Sequence, residues 1–289
     1  AGKVVILDEV HSYDLYTGTL LNELVAFLRQ IDCTVIILSA TLSQTRREVL
    51  LQHTTHSAAY PLITAAPVLT ESRELVEVSV PAEDGKPVAL HFCRQDERAL
   101  EEALERAAQG QQVLWIENTV AEAQQRYLDI ASRAAQNGCE TGLLHSRFTP
   151  DDRGKHEDRW VALYGRAGWS QRAERGRILI GTQVLEQSLD IDADFLISRF
   201  APTDMLLQRL GRLWRHADTP RHSSASKACW LLAPMPEQAL ANPRAAFGPS
   251  AMVYAPYVLC RSLETWQSLQ SIQLPSGIRP LIDQTYACL

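Results

Sequence analysis

Val4-Val5-Ile6-Leu7-Asp8-Glu9-Val10-His11 is the stretch from which the fold is read. Four apolar residues, three of them β-branched, predict a short buried strand of a parallel sheet. The abrupt change to two carboxylates sets its C-terminal end at a site. Downstream, Tyr16 to Gln30 follows helical spacing, with Leu20, Leu21, Leu24, Phe27 and Leu28 on one face. Thr34-Val35-Ile36-Ile37-Leu38 is a second strand of the same kind, closed by Ser39-Ala40-Thr41, and a helix starts near Gln44. Strand, helix, strand, helix is the pattern of a parallel α/β sheet.

Between Pro61 and Pro87 the texture changes. Pro61, Pro67, Pro81, Pro87 and Gly85 punctuate short extended pieces, which puts a junction near residue 70. A second α/β series follows. Helices are expected over Glu97 to Gln109, Val120 to Asn137 and Asp151 to Tyr164, and strands over 113–116, 141–144, 177–180, 195–197 and 228–232. Residues 234–289 read as proline-rich and irregular, with one helix between Tyr254 and Leu269. The expected domains are therefore 1–70, 71–233 and 234–289, the last a linker or the start of an accessory region.

Composition excludes several classes. No run approaches the ~18 consecutive apolar residues of a membrane span, and no secretory signal is expected, since Ala1-Gly2-Lys3 runs straight into a strand. The six cysteines are scattered without a Cys-x-x-Cys pair, which argues against zinc and against a disulfide framework. Reduced cytoplasmic thiols are expected. The net charge of −6 does not advertise nucleic-acid binding, yet arginines cluster at Arg209, Arg212, Arg215 and Arg221 and at Arg166, Arg172, Arg175 and Arg177.

Four elements carry chemistry. Asp8-Glu9 at a strand end can hold a magnesium ion through water and orient an attacking water, as ATP hydrolysis requires. The pair alone equally suits a solvated acidic turn. Ser39 and Thr41 end the neighbouring strand, where hydroxyls can bond to that carboxylate, although small polar residues end many strands. Gly181-Thr182 opens Gln183 to Asp192 at an expected helix N-terminus, suited to a backbone phosphate or to a plain cap. In Gln208-Arg209-Leu210-Gly211-Arg212-Leu213-Trp214-Arg215, Arg212 and Arg215 are three apart and would share a helix face, making a phosphate-facing array or a basic solvated face. Placed on two α/β units, these parts work if ATP sits between them and its hydrolysis moves one unit against the other.

The ordered set, with Asn118-Thr119-Val120 after the strand 113–116 and Leu144-His145-Ser146-Arg147-Phe148, resembles motifs II to VI of a superfamily 2 helicase. Asp8-Glu9-Val10-His11 with Ser12-Tyr13-Asp14, the His-Ser-Arg-Phe segment and Thr182 to Asp192 are similar to the CRISPR-associated helicase-nuclease of type I systems, over about residues 3–233. The resemblance implies two RecA-like parallel-sheet units, the first truncated on its N-terminal side. It also implies ATP and Mg2+ as cofactors, single-stranded DNA and the Cascade surveillance complex as partners, and a role in antiviral defence in the cytoplasm. Asp8 would serve Mg2+ through water, Glu9 the attacking water, and His11 the coupling to the second unit. Ser39 and Thr41 would link hydrolysis to DNA movement. Thr119, Ser146, Arg147 and Thr182 would touch the DNA backbone, and Asp190 would line the nucleotide cleft. Gln208, Arg212 and Arg215 would meet the triphosphate, with Arg212 or Arg215 as the finger.

No Gly-x-x-x-x-Gly-Lys-Ser/Thr loop and no adjacent His-Asp pair occur. The family places both upstream of the acidic pair, so the chain is expected to need an absent N-terminal portion and to hydrolyse ATP negligibly alone. A non-catalytic DNA- or partner-binding remnant, or another superfamily 2 helicase, are the competing expectations.

Overall fold

A computed structural model of the chain describes residues 2–10, 15–66, 75–172, 174–186 and 189–287. The chain forms two compact units, one of Ala1–Gly85 with Gln273–Leu289 and one of Lys86–Ile272. These boundaries differ from junctions near 70 and 233, because the last seventeen residues return to the first unit and 234–272 belong to the second.

In the first unit, β1 (Val4–Leu7), α1 (Leu15–Gln30) and β2 (Thr34–Ile37) form a parallel crossover, with Val4 opposite Thr34 and Leu7 opposite Ile37. α2 (Gln44–Leu51) is capped by Ser43, whose hydroxyl accepts from the Arg46 N–H at 3.2 Å. β3 (Leu62–Ala65) and β4 (Val76–Ser79) pair antiparallel. Val10, Leu21, Val25 and Leu50 make the core, with Leu7, Val35, Ile37 and Leu42 against it. The expectation of strands buried on both faces is corrected. Alternate residues face outward, leaving Val4 and Ile6 57% and 61% exposed, because β1 and β2 make a two-stranded sheet. α1 likewise turns Leu21 and Val25 inward while Leu20, Leu24 and Phe27 stay exposed.

The second unit contains β5 (Val88–Cys93), α3 (Asp96–Ala108), β6 (Gln112–Ile116), α4 (Val120–Gln136), β7 (Glu140–Leu144), α5 (Pro150–Tyr164), β8 (Arg177–Gly181), β9 (Phe195–Arg199), α6 (Thr203–Leu210) and β10 (Ala228–Leu232). Four further helices follow: α7 (Pro236–Ala241), α8 (Pro243–Phe247), α9 (Ser250–Val253) and α10 (Pro256–Trp266). β11 (Ser271–Ile272) closes the series. The sheet order is β11-β5-β10-β9-β6-β8-β7, parallel throughout except for β11. β6 and β8 are buried at every residue, as central strands of a parallel sheet must be. Trp115, Ile178, Ile180, Phe195 and Ile197 from the strands pack with Leu100, Leu104 and Ile130 from α3 and α4.

Two expectations change here. Val88–Cys93 is a strand that the sequence reading passed over. Residues 234–272 are largely helical rather than irregular. Pro236, Pro243 and Pro256 each stand at a helix start, where a fixed φ helps and the missing N–H costs nothing. The last helix, α11 (Ile278–Tyr286), belongs to the first unit. There Asp283 accepts from the Gln44 N–H at 2.9 Å, and Arg279 donates to the Leu42 carbonyl.

Candidate nucleotide and nucleic-acid site

In the first unit, the candidate residues sit at the C-terminal ends of two paired parallel strands, where open α/β sheets place their ligand sites. The Leu38 N–H donates to the Leu7 carbonyl at 2.9 Å and the Val10 N–H to the Leu38 carbonyl at 3.1 Å, which ties the two strand ends together. Asp8 and Glu9 are exposed. Glu9 has a left-handed backbone, φ 56, with its N–H on the Asp8 carboxylate at 2.9 Å. The Ser39 and Thr41 hydroxyl oxygens are buried and have no hydrogen-bond partner among the described residues. His11 lies outside the described residues. Among the described residues, no three His, Cys, Asp or Glu side chains gather as a metal site.

In the second unit, Thr119, Thr182 and Ser146-Arg147 follow the ends of β6, β8 and β7, which are neighbours in the sheet. Ser146 and Arg147 are exposed. Thr119 caps α4: its hydroxyl accepts from the Glu122 N–H at 3.2 Å and donates to the Glu122 carboxylate at 2.6 Å. Burial holds the Glu122 carboxyl above its ordinary range against that hydrogen bond. Thr182 differs from expectation. It precedes a three-residue 3-10 turn, Gln183–Leu185, rather than a helix, is buried, and gives its N–H to the Leu144 carbonyl at 3.2 Å. Leu185, fully buried, fills the space beside Gly181, where a Cβ would lie 2.6 Å from it.

The arginine segment also departs from expectation. α6 ends at Leu210 and Gly211 caps it. Trp214 adopts φ 53, which turns the chain, so Arg212 and Arg215 do not share a helix face. The Arg212 guanidinium donates to the Leu189 and Glu186 carbonyls, each at 2.6 Å. Arg215 is 39% exposed and meets Asp190 at 3.1 Å, while His216 Nε2 lies 2.9 Å from the same carboxylate oxygen. The geometry therefore separates two arginines that the sequence left equivalent: Arg212 is spent on backbone carbonyls and Arg215 is the one poised at the surface. Gln208 has a buried Nε2 without a partner among the described residues.

Sequence reasoning missed the centre of this unit. Arg209 is fully buried, donating to Glu186 at 2.7 Å, Ser198 Oγ at 2.9 Å, the Arg199 carbonyl at 2.8 Å and Asn118 Oδ1 at 2.8 Å. Burial alone would lower its pKa; the charge and hydrogen bond of Glu186, with Tyr254 and Glu117, together outweigh that and raise it. One guanidinium thus joins the loop after β6, the loop after β8 and the helix α6. Asn118 completes the junction by donating to the Phe200 carbonyl and to Ser250 Oγ, each at 2.8 Å. The available signal was phase: Arg209 falls three and four residues after Leu206 and Met205, on the apolar side of the helix. Beside it, the buried Glu117 accepts from Arg199 at 2.8 Å and from the Trp115 indole at 2.9 Å, and Asp96 binds the other edge of Arg199.

A parallel sheet with the candidate loops at its strand ends, and an arginine segment beyond α6, matches the RecA-like architecture of superfamily 2 helicases. The profile described as CRISPR-associated nuclease/helicase Cas3, C-terminal, matches residues 109–218. The Cas3 endonuclease/helicase of Escherichia coli K12 is 37% identical over 230 residues, covering 74% of this chain and 25% of that protein. The crystal structure of T. fusca Cas3 with AMPPNP superposes with a TM-score of 0.84 at 27% identity, over 99% of this chain and 35% of that one. A CRISPR RNA-guided surveillance complex in a pre-nicking state contains a chain similar at TM-score 0.82 and 28% identity, over 99% of this chain and 38% of that one. The chain belongs to the CRISPR-associated Cas3 nuclease/helicase family. It spans about a quarter to a third of the length of these relatives. Among the described residues, no helix is long and apolar enough to cross a membrane.

Proposed function

We propose that this chain supplies the hydrolysis and DNA-moving parts of an ATP-driven, single-stranded-DNA translocase that unwinds target DNA in CRISPR interference. The observation that carries this reading is the paired strand end of the first unit. Two exposed carboxylates follow β1, and two buried hydroxyls without partners among the described residues follow the adjoining β2. Buried hydroxyls are expected to be satisfied, so their state here fits a site completed by a ligand. Bound there, Mg2+-ATP supplies a phosphoanhydride whose cleavage releases the free energy for movement.

Asp8 holds the cation through water, and Glu9 orients and deprotonates the attacking water. His11 would couple the site to the second unit. Ser39 and Thr41 sense the state of the carboxylates. Gln208 and Arg215 meet the developing phosphate charge, and Asp190 lines the nucleotide side. Arg212 holds the Glu186 and Leu189 carbonyls. Ser146 and Arg147, exposed at the end of β7, bind DNA phosphates, with Thr119 and Thr182 shaping the adjoining loops. The T. fusca structure with AMPPNP supports the nucleotide, and the similar chain in the surveillance complex supports recruitment by Cascade; the cytoplasm is the proposed setting. The phosphate-binding loop of such motors is not within these 289 residues.

The test is Glu9→Gln in the protein that carries this chain. Loss of the base should lower DNA-stimulated ATP turnover by at least ~10²-fold, with nucleotide affinity held within a few fold. Hydrolysis at the parent rate would overturn the assignment.

A further inference from the structure

Deepening that reading of Arg215, and resting on it, we propose that Asp192 with its counter-ion Arg221 is the positioning pair that sets where Arg215 stands. Asp192 is 0% exposed, yet its partners are concentrated on one short segment. Its carboxylate accepts from the Arg215 N–H at 2.9 Å and the His216 N–H at 3.3 Å. It also accepts from the Thr219 hydroxyl, and from Arg221 Nη2 at 2.8 Å to each oxygen. A charged acceptor binding two successive backbone N–H groups fixes the peptide between them, and with it the direction in which the Arg215 side chain leaves the backbone.

The surroundings restrict the segment further. The Ala193 N–H donates to the Arg212 carbonyl at 2.8 Å, and the Trp214 N–H returns to the Ala193 carbonyl at 3.0 Å. Trp214 itself occupies the left-handed region, φ 53, which a bulky side chain adopts only when neighbours over-determine it. Its indole N–H is held by the Asp194 carbonyl at 2.9 Å. The Arg221 guanidinium lies 4.5 Å from the centre of its ring and also donates to the Asp194 carboxylate at 2.7 Å. Arg221 is therefore enclosed by two carboxylates and an aromatic face, with Asp194 anchored in turn by Arg172 at 2.8 Å and by the Gln112 N–H at 2.8 Å. The outcome is a rigid base under a half-exposed side chain. Among the described residues, the Arg215 guanidinium meets Asp190, a surface partner, so its backbone is fixed while its guanidinium can exchange that carboxylate for phosphate. An arginine of this kind can contribute 10³-fold or more to phosphoryl transfer, and a misplacement of ~1 Å can forfeit ~10²-fold.

The test uses Asp192→Asn, Arg221→Lys and Thr219→Val, each alone and combined with Arg215→Ala, in the protein that carries this chain. DNA-stimulated turnover is measured together with the affinity for a fluorescent ADP, with and without aluminium fluoride. Asp192→Asn should lower kcat at least ~10-fold, leave the KM for ATP and the affinity for ADP within ~3-fold, and weaken the aluminium fluoride complex at least ~10-fold. Arg221→Lys should fall between, because an ammonium keeps the charge without the fork. Thr219→Val removes one hydroxyl and keeps the test running if Asp192→Asn does not fold. In the Arg215→Ala background each substitution should add less than ~2-fold, since both act through the same group. Losses that multiply in that background, or an unchanged kcat in every single variant, overturn the proposal. Arg215→Ala alone leaving turnover unchanged would instead overturn the reading of Arg215 on which it rests.

Discussion

Replacing Arg209 with Met tests whether the junction inside the second unit is held by charge. The substitution keeps length and apolar bulk but removes the donors to Glu186, Ser198, the Arg199 carbonyl and Asn118. Arg209 and Glu186 are 0% and 1% exposed, so the abandoned carboxylate cannot recover water. Breaking a buried pair from one side costs about 3–5 kcal/mol, against a total of about 5–15 kcal/mol for a typical domain. With a urea dependence of about 2–3 kcal/mol per molar, the unfolding midpoint should fall by about 1–2.5 M. The assay is favourable because all six tryptophans, Trp115, Trp160, Trp169, Trp214, Trp230 and Trp266, lie within Lys86–Ile272. Their fluorescence in the whole chain therefore follows that unit alone. The double variant Arg209→Met, Glu186→Gln should recover about 1–2 kcal/mol, since a neutral amide removes the stranded charge. A midpoint shift below about 0.3 M, or no recovery in the double variant, would refute the reasoning.

Gly176→Ala should destabilise the same unit by about 3 kcal/mol, because an added Cβ would lie 1.7 Å from the Ala107 carbonyl oxygen, which cannot rotate away as a side chain would; urea unfolding measures it. His145 has its pKa lowered, first by burial and further by the charge of Arg147, and the Arg147 N–H donates to its Nδ1 at 3.3 Å. Its contribution is fully present above the unfolded value of about 6.5 and is lost as pH falls from there through the folded pKa. Thermal melts between pH 7.5 and 5.5 should show a smaller drop for His145→Asn than for the parent.

The strands of the second unit were legible because a parallel sheet buried on both faces demands uninterrupted apolar runs, and Val113 to Ile116 or Ile178 to Ile180 offer them with small or polar residues at their ends. Val88–Cys93 escaped notice because Pro87 precedes it and His91 interrupts it, although His91 packs against Trp230 at 4.5 Å between ring centres. The C-terminal helices escaped for a different reason: proline opens a helix as readily as it breaks one, and only tertiary contacts decide which. In the site, residue types pointed to a phosphate-handling surface, but not to how its arginines divide the work. That division depends on Trp214, whose positive φ ends the helical phase between Arg212 and Arg215. A bulky aromatic gives no local warning of a left-handed backbone; the Asp194 carbonyl and Arg221, distant in sequence, impose it.

The first unit is assembled from two stretches of chain separated by the whole of the second. On a ribosome this becomes a matter of timing. Residues 86–272 can collapse as soon as they emerge, whereas the 42–44 backbone must wait for Arg279 and Asp283 to arrive. At ~5–20 residues per second the interval is roughly ten to fifty seconds. Throughout it the Leu42 carbonyl and the Gln44 N–H lack these partners, and a nascent chain that stalls in this window offers chaperones and proteases an early target.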